Sequence, residues 1–258
     1  MRAFADSFNK AQDKVRVRMN VILWADFYQK TTAAVASGTG PDVGIMQLDQ
    51  VPTAAAHRII VPLDEVASAL KLEESDFPAA VWRAGVIDGR RYGIPLDVHP
   101  LGMYVNESVL KDAGLDPRRD PATKAEYLAD LAKLKAKGIA GAWVSPFLFT
   151  GSLQYQSLIA QFGGSLYDRE ARRATWNSDA GVEALSFMRD LVRKGYSIKN
   201  VGQDADAIAF KNGQNAFLWN GCWAINEYAG IPELKWHVAP VPQIGSQRAV
   251  WALSLIHI

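Results

Sequence analysis

The 258-residue chain has little cysteine: Cys222 stands alone, which excludes an internal disulfide and any cysteine-rich metal site. It lacks any apolar run approaching the roughly 18–20 residues a helix needs to span a bilayer. It also lacks excess charge. Its 28 Lys and Arg nearly cancel its 27 Asp and Glu, and a net charge of +1 gives no drive toward nucleic acid or an anionic membrane. The histidines at positions 57, 99, 237 and 257 show no metal-ligand spacing. Neither a Gly-x-Ser-x-Gly elbow, a phosphate-binding glycine loop ending in Lys, nor a His-Glu-x-x-His helix is present. Gly38-Thr-Gly40 precedes Pro41 instead of opening a helix, so it is no dinucleotide signature. No cofactor and no metal are expected. Met1 leads directly into an amphipathic helical stretch, without the charged start, apolar core and small-residue cleavage site of a signal peptide.

Aromatic residues are what the chain does have: 8 Trp, 8 Tyr and 10 Phe, with several Trp beside polar or glycine-rich turns. An indole on a loop offers a flat apolar face and one N–H donor, a combination suited to a small-molecule ligand.

The pattern along the chain reads as α/β. Val15, Val17, Met19, Val21 and Leu23 alternate with polar residues, predicting a half-buried strand. A helix over 27–36 and a short strand over 43–46 would complete a parallel strand–helix–strand unit, with ligands beyond the carboxyl ends of its strands. Asp88-Gly89 suits the tight turn of a hairpin over 86–95. Residues 96–105 continue extended, interrupted at Pro100, which cannot donate to a ladder. Asn106 is read as the cap of a short helix ending near Gly114, and Thr123-Lys-Ala-Glu126 as a capping box. Ser178 opens a further helix with Val182, Leu185, Met188 and Val192 facing inward. Strands are expected at 140–144, 216–219 and 236–241. Two lobes result, 1–98 and 99–250, joined at Asp97 to Pro100. The apolar end, Trp251 to Ile258, is unusual for a terminus. Residues 253–258 are expected to be foreign to the gene, the alternative being a short edge strand.

These segments together resemble the family 1 extracellular solute-binding proteins of ABC transporters, the group of maltose-binding protein. The resemblance rests on Ser37-Gly-Thr-Gly-Pro-Asp42, Val61-Pro-Leu63, Asp88 to Leu96, Tyr104-Val-Asn106 with Ala113-Gly-Leu115, and Phe162-Gly-Gly164. Ala174 to Ser178, Ala209 to Gly213, Asn220-Gly-Cys-Trp223 and Pro240 to Gly245 extend it. Order and spacing carry the match, not any single motif. It covers the middle of such a protein, so lobe 1 is expected to lack its first strand and its returning segment, with 251–258 beginning the return. The resemblance implies a two-lobed, type II periplasmic-binding-protein fold with a hinge between lobes that closes on a sugar or oligosaccharide. It implies a monomer outside the cytoplasmic membrane, free or anchored as a lipoprotein, that delivers its cargo to ABC permease subunits, with no nucleic acid and no catalysis.

Sugars have polar edges and a C–H face, so their sites combine hydrogen-bonding side chains with aromatic planes. Trp223 matches a position where the family stacks an aromatic on the sugar, against the plain alternative of a core Trp. Trp251, where the chain crosses back, is expected to share a crevice with it. Trp24 is a further candidate, at a strand's carboxyl end. Asp97 and His99 fall on the same side of the hinge strand and suit sugar hydroxyls, or else form a satisfied interlobe pair. Asp49 and Gln50 follow the strand at 43–46 on a loop that supplies hydroxyl-binding groups in the family. Gln154 completes the ligand-binding set. The rival reading is a glycosidase using paired carboxylates such as Asp49 and Asp97, which would need to lie about 5 Å or 6.5–9.5 Å apart.

Overall fold

The computed structural model describes residues 2–145, 148–168, 170–199, 201–202, 204–253 and 255–257. In chain order the first part contains α1 (Arg2–Ala11), α2 (Trp24–Ala36), β1 (Ile45–Gln47), α3 (Val51–Ala56), α4 (Asp64–Ala69), α5 (Ala79–Ala84), β2 (Val86–Ile87), β3 (Arg90–Arg91) and β4 (Ile94–Pro95). There follow β5 (His99–Asn106), α6 (Glu107–Asp112), α7 (Lys124–Ala136), α8 (Leu148–Gln161), β6 (Tyr167–Asp168), β7 (Arg173–Ala174), α9 (Asp179–Arg193), α10 (Ala205–Lys211) and β8 (Phe217–Gly221). The chain ends with α11 (Ile225–Ala229), β9 (Trp236–Ala239), β10 (Ala252–Leu253) and β11 (Leu255–His257). Two compact units result, Met1–Leu96 with Leu255–Ile258, and Asp97–Ser254. The division thus falls at Leu96/Asp97, where the sequence suggested 98/99.

In the first unit the alternating stretch at 15–23 is not a strand. Its apolar side chains are exposed, and no ladder partner lies beside it among the described residues. Alternation supplies a face but not hydrogen bonds, and a strand needs both. Side-chain amides take over part of that role: Asn9 bonds the Val17 N–H and C=O at 2.7 and 2.9 Å, and Gln12 accepts from the Val15 N–H at 2.9 Å. The expected parallel unit is therefore absent, and α2 starts earlier than predicted, at Trp24. β1 instead pairs antiparallel with β11, which also pairs with β4, in the order β1-β11-β4. Leu255–His257 is thus an interior strand and not an edge; Ser254 and Ile258 of the same predicted segment lie outside the described residues. The β2–β3 hairpin forms as read, with Asp88 at φ 48 and Gly89 at φ 78. Met46, Val51, Ala54 and Ile60 make the small core. Arg91 is buried but satisfied: Nη1 donates to Trp82 and Gly93 carbonyls at 3.0 Å, and the guanidinium lies over the Trp82 ring.

The second unit is built on β5, flanked by β8 and by β9, with β10 extending the sheet beside the start of β5. All these pairs are antiparallel. Pro100 lies inside β5 and does not break it. Leu101 N–H donates to the Trp251 carbonyl at 3.1 Å, so the adjacent Pro100–Ala252 pair is a non-hydrogen-bonded one, where a missing N–H costs nothing. Asn106 caps α6 by accepting from the Val109 N–H, and the Thr123–Glu126 capping box opens α7. Of the strand expected at 140–144 only a parallel bridge from Ala142 to Phe217 appears.

Ser178 caps α9 as expected, but the inward face is shifted by one position. Gly181, Ala184, Phe187, Met188 and Leu191 are buried, whereas Val182 and Leu185 are exposed. The helix carries two overlapping apolar series, and packing chooses the one with small residues. A Cβ on Gly181 would run into the Trp176 carbonyl, so only glycine permits this approach. The main core gathers Leu158 and Ile159 of α8, this face of α9, Tyr127, Leu131 and Leu134 of α7, and Met103 and Val105 of β5.

Candidate functional site

Within the second unit, β5 begins at His99 and β8 ends at Gly221, and their pairing sets Leu101 opposite Gly221. The two strand ends therefore carry Asp97 and His99 on one side and the Asn220-Gly-Cys-Trp223 turn on the other. That turn is tightly specified. Tyr104 Oη donates to the Gly221 carbonyl at 2.6 Å, and Gly221 N–H donates to Asn220 Oδ1 at 2.9 Å. Burial pushes the Tyr104 hydroxyl up to about 12, so it remains a donor. Trp223 then folds its ring back across Gly221 so closely that a Cβ at 221 would fall within the indole.

Three of the predicted residues come together here. His99 Nε2 lies 2.8 Å from Asp97 Oδ2, and the His99 ring is 5.9 Å from Trp223, tilted by 48°. Phe149, on α8, packs on Trp223 at 5.7 Å. Trp223 stays 38% exposed, an open indole flanked by the Phe149 ring and by the His99 imidazole, which lies beside the Asp97 carboxylate. The Cys222 thiol is pushed up by burial and then by the Asp97 charge, which disfavours the thiolate.

The other predicted residues of this unit have different settings. Gln154 is buried and lines a small pocket of about 20 Å³ with Trp143 and Trp219. Trp251 is half-buried, and its backbone N–H donates to Ser157 Oγ at 2.9 Å. Among the described contacts none joins either residue to Trp223.

The first unit holds a second aromatic–polar cluster. Trp24, Phe27 and Tyr28 share one face of α2, with Trp24 at 5.1 Å from Phe27 and 6.1 Å from Tyr28. Trp24 is 51% exposed. The Tyr28 hydroxyl donates to Gln47 Oε1 at 2.9 Å and lies 3.3 Å from the Gln47 N–H. Desolvation pushes that hydroxyl up to about 12, and the charge on Asp49 adds to the rise. Asp49 keeps an exposed edge, yet the protein around its carboxyl pushes its pKa up, opposed by a hydrogen bond from the Gln50 side chain. Among the described residues no group of three or more His, Cys, Asp and Glu could hold a metal ion, and no helix is long and apolar enough to cross a membrane.

Sequence reasoning pointed to the loop that begins at Gln47 but missed Phe149, Phe27 and Tyr28. Positions 24, 27 and 28 have the i, i+3, i+4 spacing of a helix face, a signal hidden by starting the helix at Phe27. Phe149 left no local signal, because its contact with Trp223 joins residues far apart along the chain.

The sequence profile of the bacterial extracellular solute-binding proteins matches residues 1–255. The sn-glycerol-3-phosphate-binding periplasmic protein UgpB of Yersinia pestis bv. Antiqua is 27% identical over 228 residues, 83% of this chain and 51% of that protein. The chain thus spans about half the length of the curated relatives it matches. An ABC substrate-binding protein from Listeria monocytogenes, solved with cycloalternan, superposes with a TM-score of 0.86 at 22% identity, covering 100% of this chain and 66% of that one. A Thermotoga lettingae ABC solute-binding protein bound with alpha-D-tagatose gives 0.84 at 24% identity, covering 99% and 67%. These likenesses show the two-lobed, type II binding-protein fold. The chain belongs to the family of bacterial extracellular solute-binding proteins.

Proposed function

We infer that the protein is the substrate-binding component of an ABC importer, acting outside the cytoplasmic membrane on a sugar or oligosaccharide that it passes unchanged to the permease subunits. The observation that carries this reading is the open Trp223 indole beside the His99–Asp97 pair. An exposed indole receives the C–H face of a pyranose, and each such plane is worth about 0.5–1.5 kcal/mol beyond burial, by analogy with aromatic pairs. The imidazole and carboxylate serve hydroxyl groups at its rim. The cluster of Trp24, Tyr28, Gln47, Asp49 and Gln50 likewise sets an exposed indole near polar side chains, and we assign it to ligand binding as well.

The relative named for sn-glycerol-3-phosphate points to a phosphorylated polyol as the second reading. The Asp97 carboxylate disfavours it, since like charge repels a phosphate dianion at short range. The glycosidase reading draws no support from the family match or from the neighbours named above, which are binding proteins.

Isothermal titration of the protein with tagatose, maltose, a cyclic glucan and sn-glycerol-3-phosphate tests the assignment. Saturable binding of a sugar, recovered intact, is expected. Trp223→Ala should weaken it tenfold or more, the equivalent of about 1.4 kcal/mol. Binding of the phosphate ester with no response to any sugar would overturn the reading, as would a chemically altered sugar.

A further inference from the structure

We propose that His237 is a proton-operated tie: as an imidazolium it bridges Glu107 and Asp120, and without its second ring proton it releases one of them. It involves none of the residues assigned above to ligand binding and does not depend on what the protein binds.

His237 lies on β9, opposite Val105 of β5. Its Nδ1 is hydrogen-bonded with Glu107 Oε1, at the start of α6, and its Nε2 with Asp120 Oδ1, in the connection from α6 to α7, each at 2.9 Å. A carboxylate only accepts, so both ring nitrogens donate, and the imidazolium alone carries two N–H groups. A neutral ring would turn a lone pair toward one carboxylate, and a shared proton goes to the imidazole as the stronger base. Burial opposes charge on the ring, but hydrogen bonds to Asp120 and Glu107 and their negative charges outweigh it and raise its pKa. The other charges on the packed elements are engaged or open to water. Lys235 donates to the Pro232 carbonyl at 3.1 Å and Arg119 to Asp130 of α7 at 2.6 Å. Lys111, Asp112, Asp116 and Arg118 are exposed, and β5 adds no charge beyond His99 at its far end. The tie matters because of where Asp120 sits. In Pro117-Arg-Arg-Asp-Pro121 the two prolines supply no N–H, and the Arg118 and Arg119 N–H groups donate to Asp116 within the turn. Among the described contacts, the hydrogen bonds that fasten this segment to the rest of the unit are therefore Arg119 to Asp130 and Asp120 to His237. The stabilisation from His237 is complete below the ordinary imidazole value of about 6.5 and is lost as pH rises through the raised value of the folded protein.

NMR titration of the full-length labelled chain tests this, with the His237 ring signals assigned through their correlation to its own backbone. In the unaltered protein the midpoint should lie above about 6.5, with both ring nitrogens protonated below it. Asp120→Asn and Glu107→Gln should each lower the midpoint by about 0.5 pH unit. Heteronuclear NOE values of Arg118, Arg119 and Asp120 should fall as pH passes the midpoint. In denaturant titration, stability should drop across the same interval in the parent and stay flatter in His237→Gln. A midpoint at or below 6.5, or a single ring N–H under acidic conditions, overturns the proposal even if every variant fails to fold. So does a midpoint indifferent to both carboxamide variants, or a segment whose order does not change with the ring's charge.

Discussion

At the scale of single residues, the cluster depends on an atom that is missing. Gly221 has an ordinary φ of −86, so glycine is not needed there for backbone freedom. It is needed for space, because the Trp223 ring occupies the volume a Cβ would take. Gly221→Ala must therefore push the indole out of its place against His99 and Phe149. Overpacking of this kind costs about 1–3 kcal/mol. We expect a lower melting temperature together with a loss of sugar affinity comparable to that of Trp223→Ala. Thermal denaturation and calorimetry on one preparation measure both, and unchanged affinity would detach the ring's position from binding. The turn itself was legible, since Asn-Gly-Cys-Trp marked Trp223 as a candidate. The steric need for glycine was not, because nothing local says that a side chain two positions later will fold back.

At the scale of elements, α9 shows how a correct helix can be assigned the wrong face. Both candidate series satisfy the 3.6-residue period, and Met188 belongs to each. The choice fell to Gly181 and Ala184, whose small size lets neighbouring backbone approach. Two truncations separate the faces. Leu191→Ala, inside the core, should cost about 2–5 kcal/mol, while Leu185→Ala, on the exposed face, should stay within about 0.5 kcal/mol of the parent in denaturant titration. Reversed costs would restore the face predicted from sequence. Residues 15–23 and Pro100 teach the complementary lesson. Alternation at 15–23 made no strand without a partner, and proline broke none where the ladder asked for no donor.

At the scale of the whole molecule, the two units differ in how much apolar surface they withdraw from water. The first rests on Met46, Val51, Ala54 and Ile60, whereas the second has a core running through β5, β8 and three long helices, with an aromatic annex of Tyr104, Phe210 and Tyr228. Protection against local opening follows burial. In native-state hydrogen exchange the amides of β1 and α3 should therefore exchange well before those of β5 and β8. Equal protection in both units would contradict this. From the sequence alone came the α/β class, the family, the hairpin at Asp88-Gly89, the caps at Asn106, Thr123 and Ser178, and the candidacy of Trp223, Asp97 and His99. These depend on backbone preferences, on capping groups within four residues, and on the order of short motifs, all carried by neighbours along the chain. The inward face of α9, the interior place of β11, the burial of Gln154 and the meeting of Phe149 with Trp223 were decided only in three dimensions. Each depends on which distant surface packs there to exclude water and complete a hydrogen bond, and a linear pattern compatible with two partners does not choose between them.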